Sequence, residues 1–186
     1  MKKLAISGLF ISLLAGAFPA LASNTFSIGY AQSKVANFKN MPGVNLQYRY
    51  EWDSPLSMLA SFTALENDGD SQTNWGNYHS TDRVKAEYYS LMAGPAYRLN
   101  DYVSLYGLAG MSHANMARHN HDNYSNLSLQ QIDFSDSTNA FAYGAGIIIN
   151  PVNYLSVTLG YEGSQTRVEG QHRGVNGVNL GIGYRF

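Results

Sequence analysis

A chain of 186 residues with 12 Lys and Arg, 13 Asp and Glu, a formal net charge of −1 and no cysteine is the size of one domain. Disulfide stapling and thiolate metal sites are excluded, and so is any bulk electrostatic attraction to nucleic acid. The slightly negative mean hydropathy suits a soluble domain, but equally a membrane barrel, whose strands turn only alternate residues to lipid.

The amino terminus carries Lys2 and Lys3, an apolar run from Leu4 to Phe18, and the small-x-small triplet Ala20-Leu21-Ala22, the pattern of a secretory signal peptide. Residues 1–22 are therefore expected to be removed, leaving a mature domain of 23–186 that begins at Ser23. Without Lys2 and Lys3 the mature chain has 10 basic against 13 acidic residues. No later stretch approaches the roughly 20 apolar residues of a membrane helix.

After the signal the apolar period is 2. Val44, Leu46, Tyr48 and Tyr50 alternate with Asn45, Gln47, Arg49 and Glu51; at the carboxyl end Val178, Leu180, Ile182, Tyr184 and Phe186 alternate with Asn179, Gly181, Gly183 and Arg185. One face of each segment suits lipid, and the other carries groups lipid would not accept. Further strands are expected at Thr25 to Gln32, Leu56 to Leu65, Val84 to Leu99, Val103 to Met111, Phe141 to Ile149 and Leu155 to Glu162, which with the first two gives eight.

The connections alternate in length. Trp52 to Pro55, Asn100-Asp101 and Asn150 to Asn153 are short and rich in turn residues, whereas Ser33 to Gly43, Glu66 to Arg83, Ser112 to Ala140 and Gly163 to Gly177 are long and polar. This rhythm predicts an all-β fold, an eight-stranded antiparallel transmembrane barrel with short periplasmic turns and long extracellular loops. Tyr50, Trp52, Tyr97, Tyr102, Tyr154, Tyr184 and Phe186 would form an aromatic girdle at the short-turn rim. A soluble β-sandwich would also alternate, but it needs neither the aromatic terminus nor the rhythm of connections.

Particular segments resemble the Ail/Lom/OmpX family of outer-membrane proteins. They are Gly29-Tyr30-Ala31-Gln32-Ser33, the run Val44 to Glu51, Ser54-Pro55-Leu56, Ser61-Phe62-Thr63, the run Tyr88 to Asp101, Ser104-Leu105-Tyr106-Gly107, Tyr143-Gly144-Ala145-Gly146, Asn150-Pro151 and Gly183-Tyr184-Arg185-Phe186. The resemblance covers nearly the whole mature chain in order and weakens in the four long connections. It implies a barrel in the outer membrane of a Gram-negative bacterium whose outer strands project beyond the bilayer. It also implies functions of the adhesion, invasion, complement-resistance or membrane-stress type.

The candidate chemistry is sparse. Eight strands enclose only enough space for side chains, so an open pore is not expected. Arg49, Glu51, Arg98, Glu162 and Arg185 are placed on inward faces, where they would neutralise one another in a polar plug, with Glu51 and Arg185 in proximity. His113, His119 and His121 beside Asp122 invite a metal reading, but a loop does not fix ligand geometry, so neither a metal nor a cofactor is expected. Ser164, Glu169 and His172 are the nearest approach to a hydrolytic trio and share one expected loop.

Loop side chains remain as the sites of function, and aromatic and Arg residues make the strongest contacts. Trp75, Tyr78, Arg118, Tyr124, Phe134 and Arg173 are the candidate contacts. The resulting expectation is a non-enzymatic, monomeric surface barrel embedded in lipid and lipopolysaccharide. Its partners would be host-cell surface, extracellular-matrix or complement-regulatory proteins, and no nucleic acid. An envelope-integrity protein without a dedicated ligand and a lipid A-modifying enzyme are the alternatives.

Overall fold

The computed structural model describes residues 23–35, 40–75, 78–124, 127–168 and 171–186; the expected signal peptide, 1–22, lies outside the described residues. The strands are β1 (Ser23–Val35), β2 (Asn40–Glu51), β3 (Leu56–Trp75), β4 (Tyr78–Arg98), β5 (Val103–Tyr124), β6 (Leu127–Val152), β7 (Leu155–Val168) and β8 (Gln171–Arg185). Each pairs antiparallel with the next, and β1 pairs with β8 to close the barrel.

Alternation decides which residues meet lipid. On β8, Val178, Leu180, Ile182 and Tyr184 are exposed, whereas Asn179, Gly181 and Gly183 are buried. Ile28, Leu91, Met111, Phe141 and Leu159 extend the same outward band. An apolar surface this continuous is stable only against hydrocarbon. The interior mixes buried polar residues such as Gln47, Arg49, Ser57 and Thr158 with an apolar cluster of Leu59, Met92, Ala96, Tyr106, Leu108, Ala142 and Ile148.

The short-turn end is fixed by side-chain caps. Asn100 Oδ1 accepts from the backbone N–H of Tyr102 at 2.9 Å and of Val103 at 2.8 Å, and Asn150 Nδ2 donates to Leu155 O at 3.1 Å. Asn24 and Phe186 exchange two backbone hydrogen bonds of 2.8 Å, pinning the carboxyl end to β1. The aromatic girdle stands at this rim: Trp52, Tyr97, Tyr102, Tyr154, Tyr184 and Phe186 are exposed. Tyr50 meets Trp52 edge-on at 5.4 Å, and Tyr184 stacks on Phe186 at 6.2 Å.

The far end departs from the expectation of loops. β3 and β4 stay in register from Leu56↔Tyr97 to Trp75↔Tyr78, and β5 and β6 pair from Val103↔Ile149 to Tyr124↔Leu127. Glu66 to Arg83 and Ser112 to Ala140 are therefore mostly ladder, and strand also occupies most of Ser33 to Gly43 and Gly163 to Gly177. The physical reason is that a strand above the bilayer has no lipid face, so the apolar period that marks it lower down disappears. At the other rim, β6 continues through Asn150 and Pro151 to Val152, with a register irregularity after Ile149.

The strands are unequal in height. Pairing of β2 with β3 stops at Gly43↔Leu65, and pairing of β6 with β7 stops at Tyr143↔Gly163. Strands β3, β4, β5 and β6 thus rise past their neighbours as a four-stranded antiparallel sheet. From Glu66 to Trp75 alone, at about 3.3 Å per residue, this sheet runs roughly 30 Å.

Candidate functional site: interior charge clusters and a projecting sheet

The five inward charges fall into separate groups. At the short-turn end Arg49 and Glu51, which are 2% and 3% exposed, pair at 2.7 Å, and Arg185 Nη2 reaches the other carboxylate oxygen of Glu51 at 2.5 Å. Arg49 also donates to Ser57 Oγ at 2.9 Å and Ser104 Oγ at 3.1 Å. This brings β2, β3, β5 and β8 together across the barrel. Arg98 belongs to the same end, but its Nη2 donates to the Ser54 carbonyl at 3.2 Å rather than to a carboxylate.

Glu162 stands apart, near the far end. Its carboxylate accepts from Thr63 Oγ1 at 2.8 Å and from the Tyr88 hydroxyl at 2.7 Å, both buried contacts. Asn45 Nδ2 continues the chain to Thr63 Oγ1 at 3.0 Å and Ser61 Oγ at 2.9 Å. Among the described residues no Lys or Arg lies within ion-pair distance of Glu162. The single neutralising plug expected from sequence is therefore two structures: an Arg–Glu–Arg cluster and a carboxylate held by neutral donors. Tyr88 and Thr63 were missed because a Tyr or Thr on an inward face carries no charge to draw attention.

The hydrolytic trio does not assemble on a loop. Ser164 lies on β7, buried, with its Oγ 2.5 Å from Ser112 Oγ and donating to Phe141 O at 3.1 Å. His172 is on β8 opposite Arg167, and Glu169 lies outside the described residues. Of the histidines, His113 has Nδ1 2.7 Å from Asn139 Oδ1 on β6. His119 and His121 belong to the β5 ladder, opposite Asp133 and Gln131, rather than to a loop.

The contact candidates gather on the projecting sheet. Trp75 and Tyr78 are partners at the tip of β3 and β4, Tyr78 is also paired with Tyr124, and Arg118 is opposite Phe134. Strand pairing thus brings Trp75, Tyr78 and Tyr124 to one tip; the side chains of these five residues lie outside the described ones. Arg173 is on β8, opposite Thr166, away from the sheet.

Two edges of this sheet are open. Above Leu65 the β3 ladder to β2 stops, the Asn67 side chain alone reaching across to Asn40 O at 2.5 Å, and from Leu127 to Ala142 β6 has no ladder to β7, only Ser164 Oγ donating to Phe141 O at 3.1 Å, within the register of the described residues. Charge separates the sheet from the barrel. The segments 66–87 and 112–140 carry eight Asp and Glu against three Lys and Arg, namely Arg83, Lys85 and Arg118. Lys85 sits between Glu66 at 3.5 Å and Glu87 at 2.5 Å. The hydrogen bond and charge of Glu87 raise its pKa above the usual lysine value.

The family described as Enterobacterial Ail/Lom protein matches residues 1–186. The chain is 41% identical over 192 residues to the virulence membrane protein PagC of Salmonella typhimurium, all of each chain being covered. It is 37% identical to outer membrane protein X of Enterobacter cloacae, again over all of both. Its fold is similar to the crystal structure of Ail, the attachment invasion locus protein of Yersinia pestis, in complex with the heparin analogue sucrose octasulfate. That match has a TM-score of 0.70 and 32% identity, and covers 89% of this chain and 99% of that one. These relatives are named as membrane, virulence or attachment proteins.

Proposed function

The chain belongs to the enterobacterial Ail/Lom family of outer-membrane proteins, and from that premise we propose that it binds a protein partner outside the cell by strand addition to its projecting sheet. The observation that carries this reading is the pair of open edges on β3 and β6. An unpaired edge presents a row of N–H and C=O groups to any extended segment that approaches, and main-chain hydrogen bonds then supply affinity while side chains supply selectivity. The barrel contributes anchorage and rigidity. Trp75, Tyr78, Arg118, Tyr124 and Phe134 are the side chains of the sheet best suited to selectivity, with Arg173 a further candidate on β8.

The sulfated sugar bound by Ail is a weaker guide to this chain. With eight acidic against three basic residues, the projecting segments repel a polyanion at the separations that matter in physiological salt. A neutral or basic host-surface or matrix protein fits better, in an adhesion, invasion or complement-resistance role.

The test is adhesion to epithelial cells and immobilised matrix proteins by a non-adherent bacterium displaying either the intact barrel or one shortened within 66–83 and 112–140. The intact form is expected to adhere and the shortened form to insert normally without adhering. Absence of adhesion by the intact, inserted barrel would replace this reading with the envelope-integrity role.

A further inference from the structure

The short-turn end of the barrel opens into a cavity of about 410 Å³ whose walls include Glu51, Asp53, Arg98, Asp101, Arg185 and Ser23. It faces the periplasm, since the short turns of such barrels lie on that side. Its charges are incompletely matched. Glu51 uses both carboxylate oxygens on Arg49 and Arg185, and Arg98 has a backbone carbonyl but, among the described residues, no carboxylate within reach. The Nε–H groups of both Arg98 and Arg185 are shielded from solvent and find no acceptor. Asp53 and Asp101 sit on the turns that form the rim, exposed and without an ion pair among the described residues.

A guanidinium that lines a cavity with only a backbone carbonyl for a partner, as Arg98 does, is naturally complemented by a carboxylate, which accepts charge-assisted hydrogen bonds from its planar fork. The aspartates on the rim offer the complementary attraction to an ammonium group, and the α-amino group that the expected cleavage frees at Ser23 adds a further cation to the cavity wall. We propose that this cavity binds a small zwitterion of the amino-acid or short-peptide class, its carboxylate on Arg98 and Arg185 and its ammonium toward Asp53 and Asp101. The volume lies within the range of small-ligand sites, roughly 300–1,000 Å³, and is large enough for two or three residues of a peptide. The site is on the opposite side of the membrane from the projecting sheet and does not depend on its function.

The test uses the mature barrel folded in phospholipid nanodiscs and alanyl-alanine, with both ends free, as the probe. Binding is followed on the arginine Nε–H NMR signals, beside N-acetyl-alanyl-alanine, which lacks the ammonium, and alanyl-alanine amide, which lacks the carboxylate. The expected result is a saturable shift at Arg98 and Arg185, with each one-charge analogue binding about tenfold more weakly. Arg98→Gln should abolish the shift at Arg185, and the double variant Asp53→Asn, Asp101→Asn should bind the free dipeptide no better than its acetylated form.

Three outcomes would overturn the proposal: no saturation up to about 50 mM probe, equal binding of the acetylated and free dipeptides, or undiminished binding by Arg98→Gln. Heat-dependent gel migration reports folding of each variant. Should Arg98→Gln fail to fold, the aspartate variant, altered only in exposed turns, decides alone: an unchanged preference for the free dipeptide sinks the proposal.

Discussion

Glu51 of β2 and Arg185 of β8 meet at 2.5 Å across the intervening strand β1, opposite Ser23 and Thr25 respectively in the register of that strand. Small side chains on β1 leave the space through which the two charged groups reach each other. The contact sits where the barrel closes, so it ties the closing pair of strands to β2 through side chains as well as through the backbone ladder.

Removing the carboxylate should therefore weaken the whole barrel. Glu51→Gln leaves Arg49 and Arg185 facing each other in a buried setting, and breaking one side of such a cluster costs about 3–5 kcal/mol. Urea unfolding of the barrel in lipid vesicles should show a loss of that order, part of which returns when Arg185→Met removes one of the stranded charges. An unchanged midpoint for Glu51→Gln would mean that the cluster contributes nothing to stability.

A second prediction concerns space rather than charge. Tyr106 points inward, and a Cβ placed at Gly160 would collide with its hydroxyl, while one at Gly146 would stand 2.5 Å from the same atom. These two glycines on β7 and β6 make the room that the ring fills. Gly160→Val should destabilise the folded barrel by about 1–3 kcal/mol, the usual cost of overpacking. Tyr106→Ala in the same chain should recover part of it, by urea midpoint. Equal stability of Gly160→Val and the parent would show that the ring moves freely.

Period-2 alternation identified all eight strands, the lipid face and the aromatic rim, because lipid imposes a strict code on every outward residue. Glu51 and Arg185 were legible as neighbours because inward charges must be matched and topology put both beside β1. The partners of Glu162 were not legible, since Tyr88 and Thr63 satisfy it without charge. Nor was the projecting sheet: once β3 to β6 leave the bilayer both faces meet water, alternation vanishes, and the same residues read as loop. The open edges on β3 and β6 follow from unequal strand lengths, which only the register reveals.

The acidity of that sheet yields a third prediction. At about 0.15 M salt the Debye length is near 8 Å, and the few cations of the projection are outnumbered, with Lys85 already engaged by two glutamates. The barrel folded in detergent micelles should pass through a heparin column without retention. It should also show no saturable shifts with sucrose octasulfate in the 66–87 and 112–140 segments. Retention at that salt would transfer the polyanion reading to this chain and displace strand addition.

Strand addition itself can be separated from side-chain contact by proline. Along a β-strand successive N–H groups point to opposite neighbours, so of Ser71 and Gln72, opposite Asp82 and Thr81 on β4, one donates into the β3–β4 ladder and the other toward the open edge. Proline removes one donor at either position. At the edge-facing position it blocks an incoming strand without breaking an existing pair, which is where proline is tolerated in sheets. Of Ser71→Pro and Gln72→Pro, one should therefore preserve the sheet, judged by amide exchange across β3 and β4, yet lose adhesion. If the variant with an intact sheet adheres as well as the parent, the β3 edge is not the docking strand, and the same pair of substitutions on β6 becomes the deciding test.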